Sequence, residues 1–187
     1  MLLLAMVLTW HYSGRRDIYD FRRILFFRYI LKECMSVEDI INAINHWIQA
    51  LPKKYNSMSD TEISNRPLPN KWSKKEILGH LCDSAINNIQ RFVDIQYTEQ
   101  PYVIQSYNQE QWVVVQNYQE RPLDEILTLF QNLNKQVINI IKNIPSEKLT
   151  YLCDIGNSQK TLQWLIQDYL NHMEHHINKQ ILIKGND

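Results

Sequence analysis

Only four glycines and six prolines occur in 187 residues. So few chain breakers cannot build the many tight turns of a sandwich or barrel, and long helices are favoured instead. An excess of one charge is also missing, since Lys plus Arg equals Asp plus Glu at 20 each. A neutral chain has no electrostatic pull toward phosphate backbones or anionic lipid, so neither nucleic acid nor a membrane is expected as a partner. Cysteine is scarce. Cys34, Cys82 and Cys153 are odd in number and form no C-x-x-C pair. They read as reduced thiols of a cytoplasmic protein rather than a disulfide framework. The apolar run Leu2 to Leu8 is too short to span a bilayer, and no basic residue precedes it as a secretory signal would require.

What is present is ordinary for one globular domain: 44% hydrophobic and 21% charged residues, with no internal repeat or low-complexity stretch. The first 34 residues stand apart. They carry Arg15, Arg16, Arg22, Arg23, Arg28 and Lys32 against Asp17, Asp20 and Glu33. Ser36 then offers a helix N-cap directly after Met35. We expect residues 1–34 to be an extension outside the natural protein, with Met35 as the start and residues 35–187 as the domain. The rival reading is a membrane-surface anchor made of an apolar stub and a basic helix.

Four amphipathic helices follow from spacing. The first buries Val37, Ile40, Ile41, Ile44, Trp47, Ile48 and Leu51, and Pro52 is expected to end it. A polar stretch to Lys71 is expected to be extended around Pro67 and Pro69. Ser73-Lys74-Lys75-Glu76 is a capping box, and Ile77, Leu78, Leu81, Ala85, Ile89 and Phe92 supply the apolar face behind it. Residues 98–121 form a long connection bearing Tyr102, Tyr107, Trp112 and Tyr118, whose rings either cover the bundle end or wall a ligand cleft. The third helix runs from Pro122 toward Pro145. The fourth begins near Thr161 and carries Leu162, Leu165, Ile166, Tyr169, Leu170, Met173, Ile177 and Ile181 inward. The expected fold is an all-α four-helix bundle.

Three of the six histidines crowd Asn171-His172-Met173-Glu174-His175-His176. His172 and His176 are four apart, so they stack on one helix face, a spacing at which two imidazoles can reach one cation. They extend the inward stripe of Leu165 and Tyr169. His175 points to the other flank and is the alternate ligand. In the second helix Ile77, His80, Ser84, Asn87 and Arg91 form a row at the edge of the apolar face, where polar groups are costly unless paired or lining a cavity. His80 is the expected third ligand if the two helices run antiparallel. Three protein ligands with open positions is the pattern of a catalytic metal site. The alternative is a set of hydrogen-bonded core or surface histidines.

The stretches Lys71-Trp72-Ser73-Lys74-Lys75-Glu76-Ile77-Leu78-Gly79-His80-Leu81-Cys82-Asp83-Ser84, Gln90-Arg91-Phe92, Tyr107-Asn108-Gln109-Glu110-Gln111-Trp112 and Gln167-Asp168-Tyr169-Leu170-Asn171-His172-Met173-Glu174-His175-His176, then Gln180-Ile181, resemble the DinB-like superfamily. The similarity is to its branch of bacillithiol transferases and metal-dependent hydrolases, and it spans about residues 36–183. The resemblance implies an antiparallel four-helix bundle of unusual connectivity, often a homodimer. It implies one divalent metal, zinc or nickel, on His80, His172 and His176. A cation held by neutral imidazoles keeps its full charge and would lower the pKa of a bound thiol or water. The expected activity is therefore thiol S-transfer to a small electrophile, with hydrolysis of an amide or ester, or a metal-binding dimerisation module without turnover, as alternatives. Asp83 and Ser84 are candidates to orient an imidazole or move a proton. Arg91, Trp112 and Tyr169 are candidate substrate contacts, with Arg91 suited to a carboxylate.

Overall fold

The computed structural model describes residues 35–183. The expected extension over residues 1–34, and Cys34 with it, lies outside the described residues. Helix α1 spans Val37–Tyr55, α2 Asp60–Ser64, α3 Lys74–Asp94, α4 Gln109–Gln116, α5 Leu123–Lys142 and α6 Leu162–His176. Short strands β1 (Tyr102–Val103), β2 (Leu152–Asp154) and β3 (Gln159–Thr161) complete the fold, with a 3-10 turn at Ser146–Thr150 and a π-helical turn at Ile177–Ile181.

The four long helices α1, α3, α5 and α6 form the bundle. Both α1 and α3 pack against α5 and α6, so α1 and α3 sit on opposite corners. Each apolar stripe read from the sequence meets the others in one core, in which Ile40, Ile44, Leu78, Phe92, Ile126, Phe130, Ile166 and Leu170 are fully buried. Burial of such aliphatic and aromatic faces, at roughly 1.5–3 kcal/mol per large side chain, is what holds the helices together. The capping box forms as expected: Glu76 N donates to Ser73 Oγ at 3.1 Å and Ser73 N donates to Glu76 Oε2 at 2.9 Å. Arg66, from the connection before it, grips the same carboxylate through Nε at 2.8 Å and through Nη2.

Three features depart from the expected layout. First, Pro52 does not end α1, which continues to Tyr55. A proline in a helix removes the donor to the carbonyl four residues back, here that of Ile48. The Gln131 side chain of α5 supplies it instead, Nε2 donating to Ile48 O at 3.0 Å. Second, the polar stretch after α1 contains α2, because Ser59 caps it by accepting from Glu62 N at 3.2 Å and Ile63 is buried in the core. Third, the long connections are not structureless. Asn108 caps α4 through Gln111 N at 3.1 Å, and α4 ends at Asn117, whose left-handed φ of 50° suits asparagine.

The connection ahead of α6 folds into the strands. β2 and β3 pair antiparallel around Gly156, which takes a φ of 93° that favours glycine. β1, from the connection after α3, adds in parallel with Tyr102 opposite Cys153. β3 runs directly into α6, whose first turn is capped by Thr161 Oγ1 accepting from Trp164 N at 3.2 Å. The sheet thereby fixes where α6 starts, and so the height at which its histidines stand. Among the described residues no helix is long and apolar enough to cross a membrane.

Candidate metal centre

His80 faces inward from the second turn of α3 and is fully buried. His172 and His176 occupy the last turns of α6 and are half-buried. Phe92 of α3 meets Tyr169 of α6, while His80, twelve residues earlier, meets His172 and His176, later in α6. Advancing along one helix thus corresponds to retreating along the other, the antiparallel arrangement that brings the three rings to one level.

The rings converge through their Nε2 atoms. His172 Nε2 lies 3.3 Å from His80 Nε2 and 3.1 Å from His176 Nε2. Among the described residues these three form the group of side chains whose ligand atoms all fall within 4.8 Å of one another. His175 is exposed on the other flank and is not in the group.

Protons alone serve this arrangement poorly. Gln180 Oε1 can only accept, so His176 donates from Nδ1 at 2.6 Å and presents a bare Nε2 lone pair inward. A proton on His172 Nε2 can satisfy one neighbouring nitrogen but not both. His80 Nδ1, on the far side of its ring, is buried without a partner, a need that a cation on Nε2 would not meet. Burial, and then the neighbouring rings, hold His80 down at about 3 and His172 at about 4, and burial also lowers His176. The three are therefore neutral bases at physiological pH, the state a cation needs. Nitrogens bound at 2.0–2.1 Å in a tetrahedron stand about 3.3 Å apart, close to the spacing observed. The donor set fits one divalent ion.

The surroundings place the remaining candidates. Ser84 Oγ lies 3.4 Å from His172 Nδ1, one turn beyond His80 on α3. Asp83 turns instead toward Tyr118, whose hydroxyl donates to Oδ1 at 2.6 Å, and its Oδ2 has no partner. Burial raises the Asp83 carboxyl to about 6, against the opposing hydrogen bond from Tyr118. Trp72, which residue spacing alone gave no role, tilts over His80 with ring centres 4.9 Å apart. Gln180 was likewise unassigned, although it continues the four-residue spacing of His172 and His176.

A cleft of about 300 Å³ opens from the His172 side. Ser84, Asn88 and Arg91 line it from α3, Leu165, Asp168 and Tyr169 from α6, and Ile104, Ser106, Tyr107 and Ile155 from the segments after β1 and β2. Arg91 is held there by Nη2 donating to Gln105 O at 2.8 Å, with its guanidinium 6.0 Å from the Tyr107 ring centre. Tyr169 contributes its ring, since its hydroxyl is committed to Asn134 Oδ1 at 2.7 Å. Trp112 does not line the cleft; it stacks edge-on behind Tyr107 at 5.4 Å. Asn88 rather than Asn87 lines the cleft, although both side chains fold back onto the carbonyl four residues earlier, Asn87 onto Asp83 O at 2.8 Å and Asn88 onto Ser84 O at 2.9 Å. Cys82 is buried in the core, where burial pushes its thiol pKa up, so it is not a nucleophile at neutral pH.

A four-helix bundle with three imidazoles converging beside an open cleft defines a class of helical proteins equipped to hold a metal. The sequence profile of the DinB superfamily matches residues 43–179, and the chain belongs to that superfamily. A protein of Oceanobacillus iheyensis named "Putative metal-dependent hydrolase OB0413" is 22% identical over 150 residues, 78% of this chain and 85% of the relative. "Putative metal-dependent hydrolase BH0277" of Halalkalibacterium halodurans is 25% identical over 143 residues, 72% of this chain and 82% of the relative. Among solved structures, YfiT of Bacillus subtilis, "a probable metal-dependent hydrolase with an unusual four-helix bundle topology", superposes with a TM-score of 0.67 at 18% identity, covering 89% of this chain and 87% of YfiT. The mycothiol-dependent maleylpyruvate isomerase shares the fold at a TM-score of 0.58 and 8% identity, over 76% of this chain and 59% of that one.

Proposed function

We propose that this chain is a metal-dependent enzyme for small molecules, with His80, His172 and His176 holding one divalent cation, and that its reaction is hydrolysis of an amide or ester. The observation that carries the reading is the meeting of three neutral imidazoles from two helices, one of which, His172, lines the cleft. Imidazole ligands suit zinc or nickel. The hydrolytic assignment draws on the names of the two relatives and of YfiT.

The bound cation would supply Lewis acidity, which acidifies water or a thiol and polarises a carbonyl. The chain's own residues do the rest. Gln180 fixes the tautomer of His176, and Ser84 steadies the ring of His172. Trp72 covers His80 and keeps bulk water from that side. Ile104, Ile155 and Leu165 provide apolar wall against a substrate, and Arg91, fixed at the Gln105 carbonyl, presents its remaining N–H groups to it.

A second reading, thiol S-transfer to an electrophile, is favoured by the fold shared with a mycothiol-dependent enzyme. Elemental analysis of the purified protein beside His80→Ala and His172→Ala tests the shared premise. We expect about one equivalent of metal in the parent and a large loss in both variants. Equal metal content in all three would sink both readings. A panel of amides, esters and thiol–electrophile pairs then separates them. Silence throughout, with metal retained, leaves a binding module.

A further inference from the structure

Arg91 and Asp168 occupy the same cleft, one on α3 and one on α6, at the level where Phe92 meets Tyr169. They sense each other electrostatically, yet no ion pair joins them, and among the described residues Asp168 has no hydrogen-bond or ion-pair partner. Two opposite charges facing one small cavity without closing on each other leave room for a ligand carrying both complements. Arg91 is held in place by the Gln105 carbonyl and the Tyr107 ring, so its outward N–H groups are presented at little entropic cost. Asp168 is exposed and lines the cleft, its carboxylate free of any protein donor among the described residues.

We infer that the cleft recognises the head group of an α-amino acid, its carboxylate on Arg91 and its ammonium on Asp168. The inference rests on the proposed use of this cleft for substrate. Asp168 stands four residues before His172 on α6, about 6 Å along the helix. The head group is therefore held about one helical turn from the histidines, and the side chain of the ligand points toward them. The substrate class is an amino acid bearing its reactive amide, ester or thiol on the side chain. A cleft of about 300 Å³ accommodates a molecule of that size. Ser84 and Asn88, lying between Arg91 and the histidines, line the path of that side chain.

The test uses L-norleucine, N-acetyl-L-norleucine and L-norleucinamide as probes, titrated by ligand-observed NMR into the metal-free full chain and into the zinc-loaded one. Norleucine should bind at least about tenfold more tightly than either blocked form, the weight of one charge-assisted hydrogen bond. Asp168→Asn should abolish discrimination against N-acetylation while keeping that against amidation, and Arg91→Met should do the reverse. Circular dichroism of both variants confirms that they fold. Norleucine that fails to bind, binds no better than its blocked forms, or keeps both preferences in the variants overturns the inference. Because the metal-free titration needs no cation, loss of the metal reading would leave this result standing, and the converse also holds.

Discussion

The ring of Tyr118 fills the place where a side chain on Gly79 would have to be. A Cβ built on Gly79 comes well inside 3.0 Å of three ring carbons. Glycine in a helix interior ordinarily costs up to about 1 kcal/mol relative to alanine, so Gly79→Ala would normally stabilise α3. Here the clash displaces Tyr118 and with it the hydrogen bond to Asp83. We expect a net loss of about 1–3 kcal/mol, read as a lower midpoint in chemical unfolding. A midpoint at or above the parent's would show that Tyr118 has room to move.

Asp83 predicts a pH dependence. Its folded pKa of about 6 lies above that of an exposed carboxyl, so the folded state binds the proton more tightly than the unfolded one. The resulting stabilisation is complete below about pH 4 and disappears as pH rises through 6, to a maximum of about 3 kcal/mol. Asp83→Asn keeps an acceptor for Tyr118 and removes the titration. In the metal-free protein the variant's advantage over the parent should therefore grow from pH 4 to 7. Parallel stability curves for the two proteins would count against a raised carboxyl.

Gln131 and Pro52 should be coupled. Gln131→Met leaves the Ile48 carbonyl without a donor at a cost of about 1–3 kcal/mol. Pro52→Ala restores a backbone N–H four residues beyond Ile48. In the Pro52→Ala background the Gln131→Met penalty should shrink to well under 1 kcal/mol. An additive double-mutant cycle would mean that the side-chain bond is not replacing the missing one.

Metal binding should register as stability. A cation that binds only the folded chain raises its unfolding free energy by about 2.7 kcal/mol at a hundredfold excess over the dissociation constant. Zinc or nickel titrated into chelator-treated protein should raise the thermal midpoint by several degrees. His176→Ala should lose most of that increment, whereas His175→Ala, on the exposed flank, should keep it. Equal shifts in both variants would disconnect the stabilisation from the three converging rings.

The bundle was legible because its helices carry uninterrupted apolar stripes, and the height of the histidines followed from antiparallel neighbours. Pro52 misled because its cost is met by Gln131, 83 positions from the Ile48 carbonyl it serves, which no local pattern displays. The helix at Asp60–Ser64 was announced by Ser59 and Glu62 at capping-box spacing, but the prolines after it drew attention to extended chain. The turn at Asp154-Ile155-Gly156-Asn157-Ser158 also had its hairpin chemistry in view. The flanking strands are too short to show alternation, so only pairing in space reveals them. Asp168 lies in a stretch that carries the family resemblance, yet nothing in the sequence pairs it with Arg91. Its relation to Arg91 exists only once two helices are docked.

The parallel register of β1 with β2 has a consequence for how such a pocket diversifies. The two segments that roof the cleft leave adjacent strands of one small sheet, Ile104 and Tyr107 following β1 and Ile155 following β2. Ile104 N even donates to Asp154 O at 3.0 Å, extending the ladder past the strand end. A slip in the register of either strand would therefore move its roof segment against the other. New selectivity grafted from a cousin protein would have to travel as a matched pair of loops.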